Sequence, residues 1–450
     1  MTTDKEARTQ QTVDLLQTLI RNECVNDGTA TSGNEVLNCD ALETFLEGPG
    51  VEIDTFEPTP GRKSLVARIT GTDPDAPSLC LMGHTDVVPV NPEGWERDPF
   101  GGELVDGEVW GRGAVDMLNL TSSQAVAFKH LANSGFRPSG DLLYFAVADE
   151  ESGSAHGAQW IADHHPDAIM ADYVLTENGG LHTGTSERPY IGVNIGEKGV
   201  AWRKLRVKGT PGHGSAPFKS DNALVRAAGV IQRLADYRPP AKFHELWRQQ
   251  VGILDVDEET KSIMLDADRI DDWLDAHPVE GVARHFYSCT HTTFSPNLAE
   301  SDRQMKTNVI PDQIDINVDI RTLPGESTAE VQAHLDSALG DLADQVEVEI
   351  IMNDPASVSQ MDNPLWDTIQ KAVNQPFPSA RLSPQFIVGF TDARVYRNLG
   401  SVAYGAGLFS PDLKSSDFMT RFHGHNERID VESLSLSTQF WLDVCQDFLN

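Results

Sequence analysis

Between residues 79 and 90 the chain reads LCLMGHTDVVPV, an apolar run that ends on His84 and Asp86. The pattern recurs. Asp116 follows the glycine-punctuated turn WGRGAVD, Glu150 and Glu151 end the apolar run DLLYFAVADEE, Glu177 ends ADYVLTEN, and His423 lies far downstream in RFHGHNERI. Each has an ordinary reading by itself: a lone His84 as a hydrogen-bonded core histidine, each acid as a helix cap or a solvated loop residue. Together at strand ends they suggest one shared site. Mixed carboxylate and imidazole donors suit zinc, or else manganese or cobalt, whereas calcium asks for oxygen alone and magnesium mostly for oxygen and water. His84, Asp116, Glu151, Glu177 and His423 are one more than a structural tetrahedral site needs, which suggests two metals sharing a bridging carboxylate. Such ions, roughly 3.5 to 4 Å apart, bring the pKa of a shared water toward neutrality and polarise a carbonyl. A base must then handle the proton. Glu150 can serve if the strand has ended there, since neighbours within a strand point to opposite faces.

These residues need elements to bring them together. Residues 5–21 carry the helical spacing Val13, Leu16, Leu19 and Ile20; SLVARIT and SLCLMGH read as strands, and NLTSSQAVAFKHLANSG reads as a helix closed by Gly135. Continuous apolar strands alternating with helices point to an α/β sheet covered on both faces, with ligands bound outside the carboxyl ends of its strands. From about residue 199 the character changes: VAWRKLRVKG and QIDINVDIRTL alternate with period two, the second setting Ile314, Ile316, Val318 and Ile320 against Asp315, Asn317, Asp319 and Arg321. A helix over Thr328–Leu339 and the strand VEVEII complete a smaller α+β domain, while 240–300 reads as a helical insertion. The doubly covered pattern returns near 355 and closes in a helix with the stripe Leu434, Trp441, Cys445 and Phe448. The expected domains are 1–198 with 356–450, and 199–355 inserted between them.

Composition narrows the classes. With 450 residues and 39% hydrophobic content the chain can bury a large core over two domains. A net charge of −33 disfavours nucleic acid and anionic membranes as partners. The N-terminal stretch lacks a secretory pattern, and no run approaches the roughly 18 apolar residues of a membrane span. Five scattered cysteines without CxxC spacing argue against a disulfide framework or a cysteine zinc site. A cytoplasmic protein is expected.

The motifs GHTDVVP, GRGAVDM, DEESGS, VLTEN, GTPGHGSAP, NVIPDQ with DIRTLPG, GFTDAR and HGHNE stand in the order seen in M20 family metallopeptidases, which this chain resembles along nearly its whole length. That resemblance implies a zinc-peptidase-type sheet domain carrying an inserted ferredoxin-like lid and dimerisation domain. It implies two Zn2+ per subunit, with Co2+ or Mn2+ as alternatives: His84 and Glu177 on one, Glu151 and His423 on the other, Asp116 bridging. Glu150 takes the role of general base and Asp86 that of the carboxylate orienting His84. Family members generally ligate with the histidine three positions before Asn, hence His423, although His425 competes. His213 resembles a histidine that reaches the partner subunit's site to stabilise the oxyanion, against the plain reading of a residue in a Gly/Pro turn. Arg321 and Asn308 resemble positions that contact the substrate's carboxylate or oxyanion, although Arg321 could instead form an ion pair with Asp315 or Asp319. In GFTDAR, Phe390 stands where glycine is commoner, while Thr391, Asp392 and Arg394 are kept, Thr391 and Arg394 being read as substrate-side residues.

Other classes fare worse. GxSxG is absent, HELWR lacks the second histidine of HExxH, and no glycine-rich stretch matches GxGxxG or GxxxxGK[ST]. A non-catalytic scaffold with this fold remains the rival, although such relatives typically lose ligands or the base. The sequence therefore predicts a homodimeric two-metal amide hydrolase for small molecules or short peptides with a free carboxylate.

Overall fold

The structure, a computed structural model, describes residues 4–29, 31–185, 187–301 and 305–450. The chain divides into two compact units, one of residues 1–195, 359–385 and 391–450, the other of 196–358 and 386–390.

The first unit is built on a mixed sheet whose order is Glu52–Phe56, Ser64–Ile69, Leu142–Val147, Leu79–His84, Tyr173–Thr176, Val402–Gly405 and Pro189–Glu197. Four adjacent strands, 142–147, 79–84, 173–176 and 402–405, run parallel. Their carboxyl ends therefore meet at one edge. Leu79–His84 and Leu142–Val147 are buried at every residue, as continuous apolar sequence requires of strands covered on both faces. Cys80, Met82, Leu143, Phe145 and Val147 face one core with Ile161, Val395 and Tyr396 from the helices Ala158–His164 and Ala393–Asn398. The other face carries the helices Asp4–Arg21, Leu118–Ser134 and Val431–Phe448. Gly83 lets the helix Leu118–Ser134 approach: a Cβ there would stand 2.5 Å from Thr121 Oγ1. That helix ends at Gly135, whose φ of 76° gives the left-handed cap that glycine favours.

The second unit is an antiparallel sheet ordered Thr293–Glu300, Gln313–Thr322, Arg203–Lys208, Val346–Ile350. With the helices Ala223–Asp236 and Thr328–Leu339 this is a βαββαβ, ferredoxin-like arrangement. Its apolar alternation packs Ile314, Ile316, Val318 and Ile320 against Ala227, Val230, Leu234, Val331 and Leu335. A Ser327–Glu330 capping box starts the second helix. The stretch expected to be helical through residue 300 is helical only between Glu245 and Thr290; Thr293–Glu300 is a strand. Pro296 hides that strand from propensity reading, yet it lies on the sheet edge beside a register shift between Pro296 and Leu298, where proline is tolerated. The helical insertion has its own small core around Trp247, Val251, Met264, Ile270 and Leu274.

Candidate metal centre

Parallel strands deliver the acids and histidines of the first unit to one edge. His84 is the last residue of its strand, Asp149 to Glu151 follow Val147, and Glu177 follows Thr176. Ligand atoms of His84, Asp116 and Glu177 lie within 4.8 Å of one another, as do those of Asp116, Glu151 and His423. Asp116 belongs to both groups: its Oδ1 is 3.1 Å from His84 Nε2 and its Oδ2 is 2.7 Å from His423 Nε2. Glu151 Oε2 stands 3.3 Å from the same His423 nitrogen.

The imidazole of His84 is oriented from behind. Its Nδ1 is 2.9 Å from the main-chain carbonyl of Asp86 and 3.6 Å from the Asp86 carboxylate, so the closer orienting acceptor is the backbone oxygen. Donation from Nδ1 leaves Nε2 turned toward Asp116. Of the two candidate histidines in HGHNE, His423 joins the acids. The His425 ring instead lies over Gly94, where an added Cβ would meet it at 2.2 Å.

The consecutive acids Glu150 and Glu151 both belong to the site because the strand ends before them. Asp149 adopts φ 68°, breaking the alternation that would send neighbours to opposite faces. Glu150 is buried and lies within electrostatic reach of Glu177, His84, Glu151 and Asp392.

Electrostatics follow from crowding acids out of water. Burial, then the charge of Glu177, pushes Glu150 well above the ordinary carboxyl range. Burial and the charge of Asp116 raise Glu177, and the same pair of causes lifts Glu151 to about 7. Burial opposes a charged His84 and His423, but their bonds to Asp116 win and hold both imidazoles above their ordinary value. Burial would raise Asp116, yet its bonds to His423 and His84 bring it below the ordinary range. Glu151 Oε1 and Asp392 Oδ2 are buried with no hydrogen-bond partner among the described residues. Buried acids in excess of buried cations, with oxygen left unpaired, fit a cationic occupant.

Sequence reasoning missed the residues that lock this arrangement. Glu427, the acid of HGHNE, is fully buried. Its Oε1 accepts the N–H groups of Gly113, Val115 and Asp116 at 3.1, 2.7 and 3.0 Å, and its Oε2 pairs with Arg112 at 2.7 Å. Arg112 also donates to the carbonyl of His423, so one buried pair joins the Asp116 turn to the His423 loop. The signal was present in both quoted motifs as an unassigned arginine and an unassigned glutamate.

The expected substrate-side residues divide. Arg394, read as a substrate contact, is buried, and its guanidinium donates to the carbonyls of Thr391 and Gly153 and to Ser154 Oγ. That placement braces the loop after Glu151. Thr391 is buried beside it, and Asp392 accepts from Ser154 Oγ. In the second unit, His213 and Asn308 meet in a small ribbon: Gly214 N–H donates to the Asn308 carbonyl at 2.8 Å, and both side chains are exposed. His213 Nδ1 lies 2.7 Å from Ser215 Oγ. Arg321 is paired with Asp319 at 2.7 Å, not with Asp315, which Arg206 holds at 2.9 Å. Phe390 covers the Arg321 guanidinium at 4.8 Å.

Comparison with known proteins agrees with this architecture. Residues 80–447 match the model of Peptidase family M20/M25/M40. An N-fatty-acyl-amino acid synthase/hydrolase of Xenopus tropicalis is 28% identical over 400 residues, 86% of this chain and 75% of that protein. A succinyl-diaminopimelate desuccinylase of Rhodopseudomonas palustris is 34% identical over 210 residues, 44% of this chain and 51% of that protein. Among solved structures, the M20 family metallo-carboxypeptidase Sso-CP2 of Sulfolobus solfataricus superposes with a TM-score of 0.71 at 18% identity, covering 98% of this chain and 99% of that one. A match over most of the chain, together with the shared fold, makes this protein a member of Peptidase family M20/M25/M40.

Proposed function

We propose that the protein is a two-metal amide hydrolase acting on N-acyl amino acids or short peptides that keep a free carboxylate. The observation that carries this reading is Asp116 shared between two ligand groups, His84 with Glu177 and Glu151 with His423. The donor set favours zinc, two per subunit, with cobalt or manganese as alternatives. Bound there, the ions supply an acidified water and a polarised carbonyl. The chain's own residues do the rest. Glu150, buried beside the ligands without belonging to either group, accepts the proton of the attacking water on a carboxylate oxygen and returns it to the departing amine.

The substrate class rests on relatives whose names concern N-fatty-acyl amino acids and a succinyl amide. Arg321, with a fork suited to carboxylates, and Asn308 are assigned to the substrate's carboxylate or oxyanion, and exposed His213 to the oxyanion of the partner subunit's site. A homodimer formed through the second unit is supported by its exposed apolar side chains Phe218, Leu224 and Val225, Phe218 being 85% exposed. All five cysteines are free, which suits the cytoplasm. No helix among the described residues is long and apolar enough to cross a membrane.

The test is hydrolysis of a panel of N-acyl amino acids and dipeptides by zinc- or cobalt-loaded protein, with Glu150→Gln alongside. Turnover by the parent and a loss of roughly 10²- to 10⁴-fold in the variant, with metal still bound, is expected. A parent that binds metal yet cleaves no member of the panel favours the scaffold reading. Full turnover by Glu150→Gln removes Glu150 as base.

A further inference from the structure

Behind the two ligand groups lies a buried polar network in which the proposed reaction gives a task only to Asp86. Arg62 is 1% exposed. Its guanidinium pairs with Glu35 Oε1 at 2.8 Å and with Asp149 Oδ1, and donates to the Ser32 carbonyl at 3.1 Å. Asp149 is held from three further sides: its N–H donates to Glu35 Oε1 at 3.2 Å, its Oδ2 accepts the His156 N–H at 2.8 Å, and its Oδ1 accepts from Asn26 Nδ2 at 3.2 Å. The same Asn26 amide donates to Asp86 Oδ2 at 2.9 Å. Asp86 Oδ2 in turn accepts the N–H of Glu151 at 3.2 Å, while the Asp86 carbonyl faces His84 Nδ1 at 2.9 Å. A hydrogen-bonded path thus runs from Arg62 through Asp149 and Asn26 to Asp86, whose carboxylate holds the Glu151 N–H of one ligand group and whose main-chain carbonyl faces His84 of the other.

The path explains a local oddity. Glu150 and Glu151 both reach the site only because Asp149 sits in the left-handed region, at φ 68°, a conformation a non-glycine residue keeps only when its surroundings hold it there. The Asp149 side chain is fixed by a cation that has no water to compete for it. Asn26, Ser32, Glu35 and Arg62 all precede residue 80, where the family match begins, so this part of the apparatus comes from outside the matched segment.

We propose that Arg62, acting through Asp149 and Asn26, is a positioning residue that sets the geometry of Glu150, Glu151 and His84. The proposal rests on the two-metal hydrolase reading.

The test compares Arg62→Met and Arg62→Lys with the parent. Arg68→Met, which removes an arginine paired with Asp141 outside the network, serves as control. Zinc affinity is read by chelator competition, coordination by the visible spectrum of the cobalt-loaded protein, and turnover as separate kcat and KM. Arg62→Met is expected to lose about 10- to 100-fold in affinity at one or both sites, to alter the cobalt spectrum, and to lower kcat with little change in KM. Arg62→Lys should recover part of each loss, and Arg68→Met should match the parent. A folded Arg62→Met with parental affinity and cobalt spectrum overturns the proposal. Should Arg62→Met fail to fold, Asn26→Leu, which cuts the path at Asp86 but leaves the Arg62–Asp149 pair, is read by the same criteria. A parent that binds no metal overturns the two-metal reading and this proposal with it; a metal-binding parent with unaffected variants overturns only this one.

Discussion

Glu427 offers the sharpest test of how two distant segments are joined. Its carboxylate holds three backbone N–H groups of the Asp116 turn on one oxygen and Arg112 on the other, all out of water. Glu427→Gln keeps the shape and removes the charge. Whichever way the new amide turns, its NH2 meets donors: Arg112 on one side, the Gly113, Val115 and Asp116 N–H groups on the other. Arg112 is then a buried cation without its counter-ion. Removing one partner of a buried pair costs about 3–5 kcal/mol. At about 2 °C per kcal/mol for a unit of this size, the unfolding midpoint should fall by roughly 6–10 °C. The assay is thermal unfolding in chelator, so that metal binding does not contribute. Arg112→Met and the double variant complete a cycle. Because the double variant no longer buries an unpaired cation, it should be less destabilised than the sum of the singles, by about 2 kcal/mol or more. A Glu427→Gln midpoint within 3 °C of the parent, or strict additivity, would refute the reasoning.

Two further outcomes follow from the crowded acids. Protons and metal compete for the same atoms, and burial with the charge of Asp116 lifts Glu151 to about 7 in the metal-free protein. Falling pH therefore protonates the ligands, and zinc affinity measured by chelator competition should climb roughly tenfold per pH unit from 6 to 8 for each proton displaced; a flat profile contradicts the shifts. Stripping the metal should destabilise the first unit, because Asp116, Glu151 and Glu177 lose their cations. Protein at free zinc 100-fold above Kd should gain about 2.7 kcal/mol over protein in chelator, seen as a higher unfolding midpoint; equal midpoints would exclude metal from the folded state.

How much was legible in the sequence depended on whether a residue's task was local. Continuous apolar runs marked the parallel strands, and an acid or histidine at the end of such a run marked the site, because parallel strands open on one edge. His84, Glu151 and Glu177 were read that way, Asp116 from a glycine-punctuated turn and His423 from a downstream histidine motif, and the structure brings the ligand atoms of all five into two groups that share Asp116. The supports were not legible. Glu427 and Arg112 are 315 positions apart, and Asn26 and Asp149 are 123 apart, so only the folded chain shows that they meet. Arg394 shows a further task that the motif did not reveal: read as a substrate-side residue, it is buried and donates to the 153–154 loop. The strand Thr293–Glu300 was hidden by a proline that only an edge position explains.

The central claim is that Asp116 bridges two ions, and anomalous diffraction from zinc-loaded crystals tests it most directly. Two peaks about 3.5–4 Å apart are expected, one touching His84 and Glu177, the other Glu151 and His423, with Asp116 reaching both. A single peak, or zinc bound away from these side chains, would contradict it.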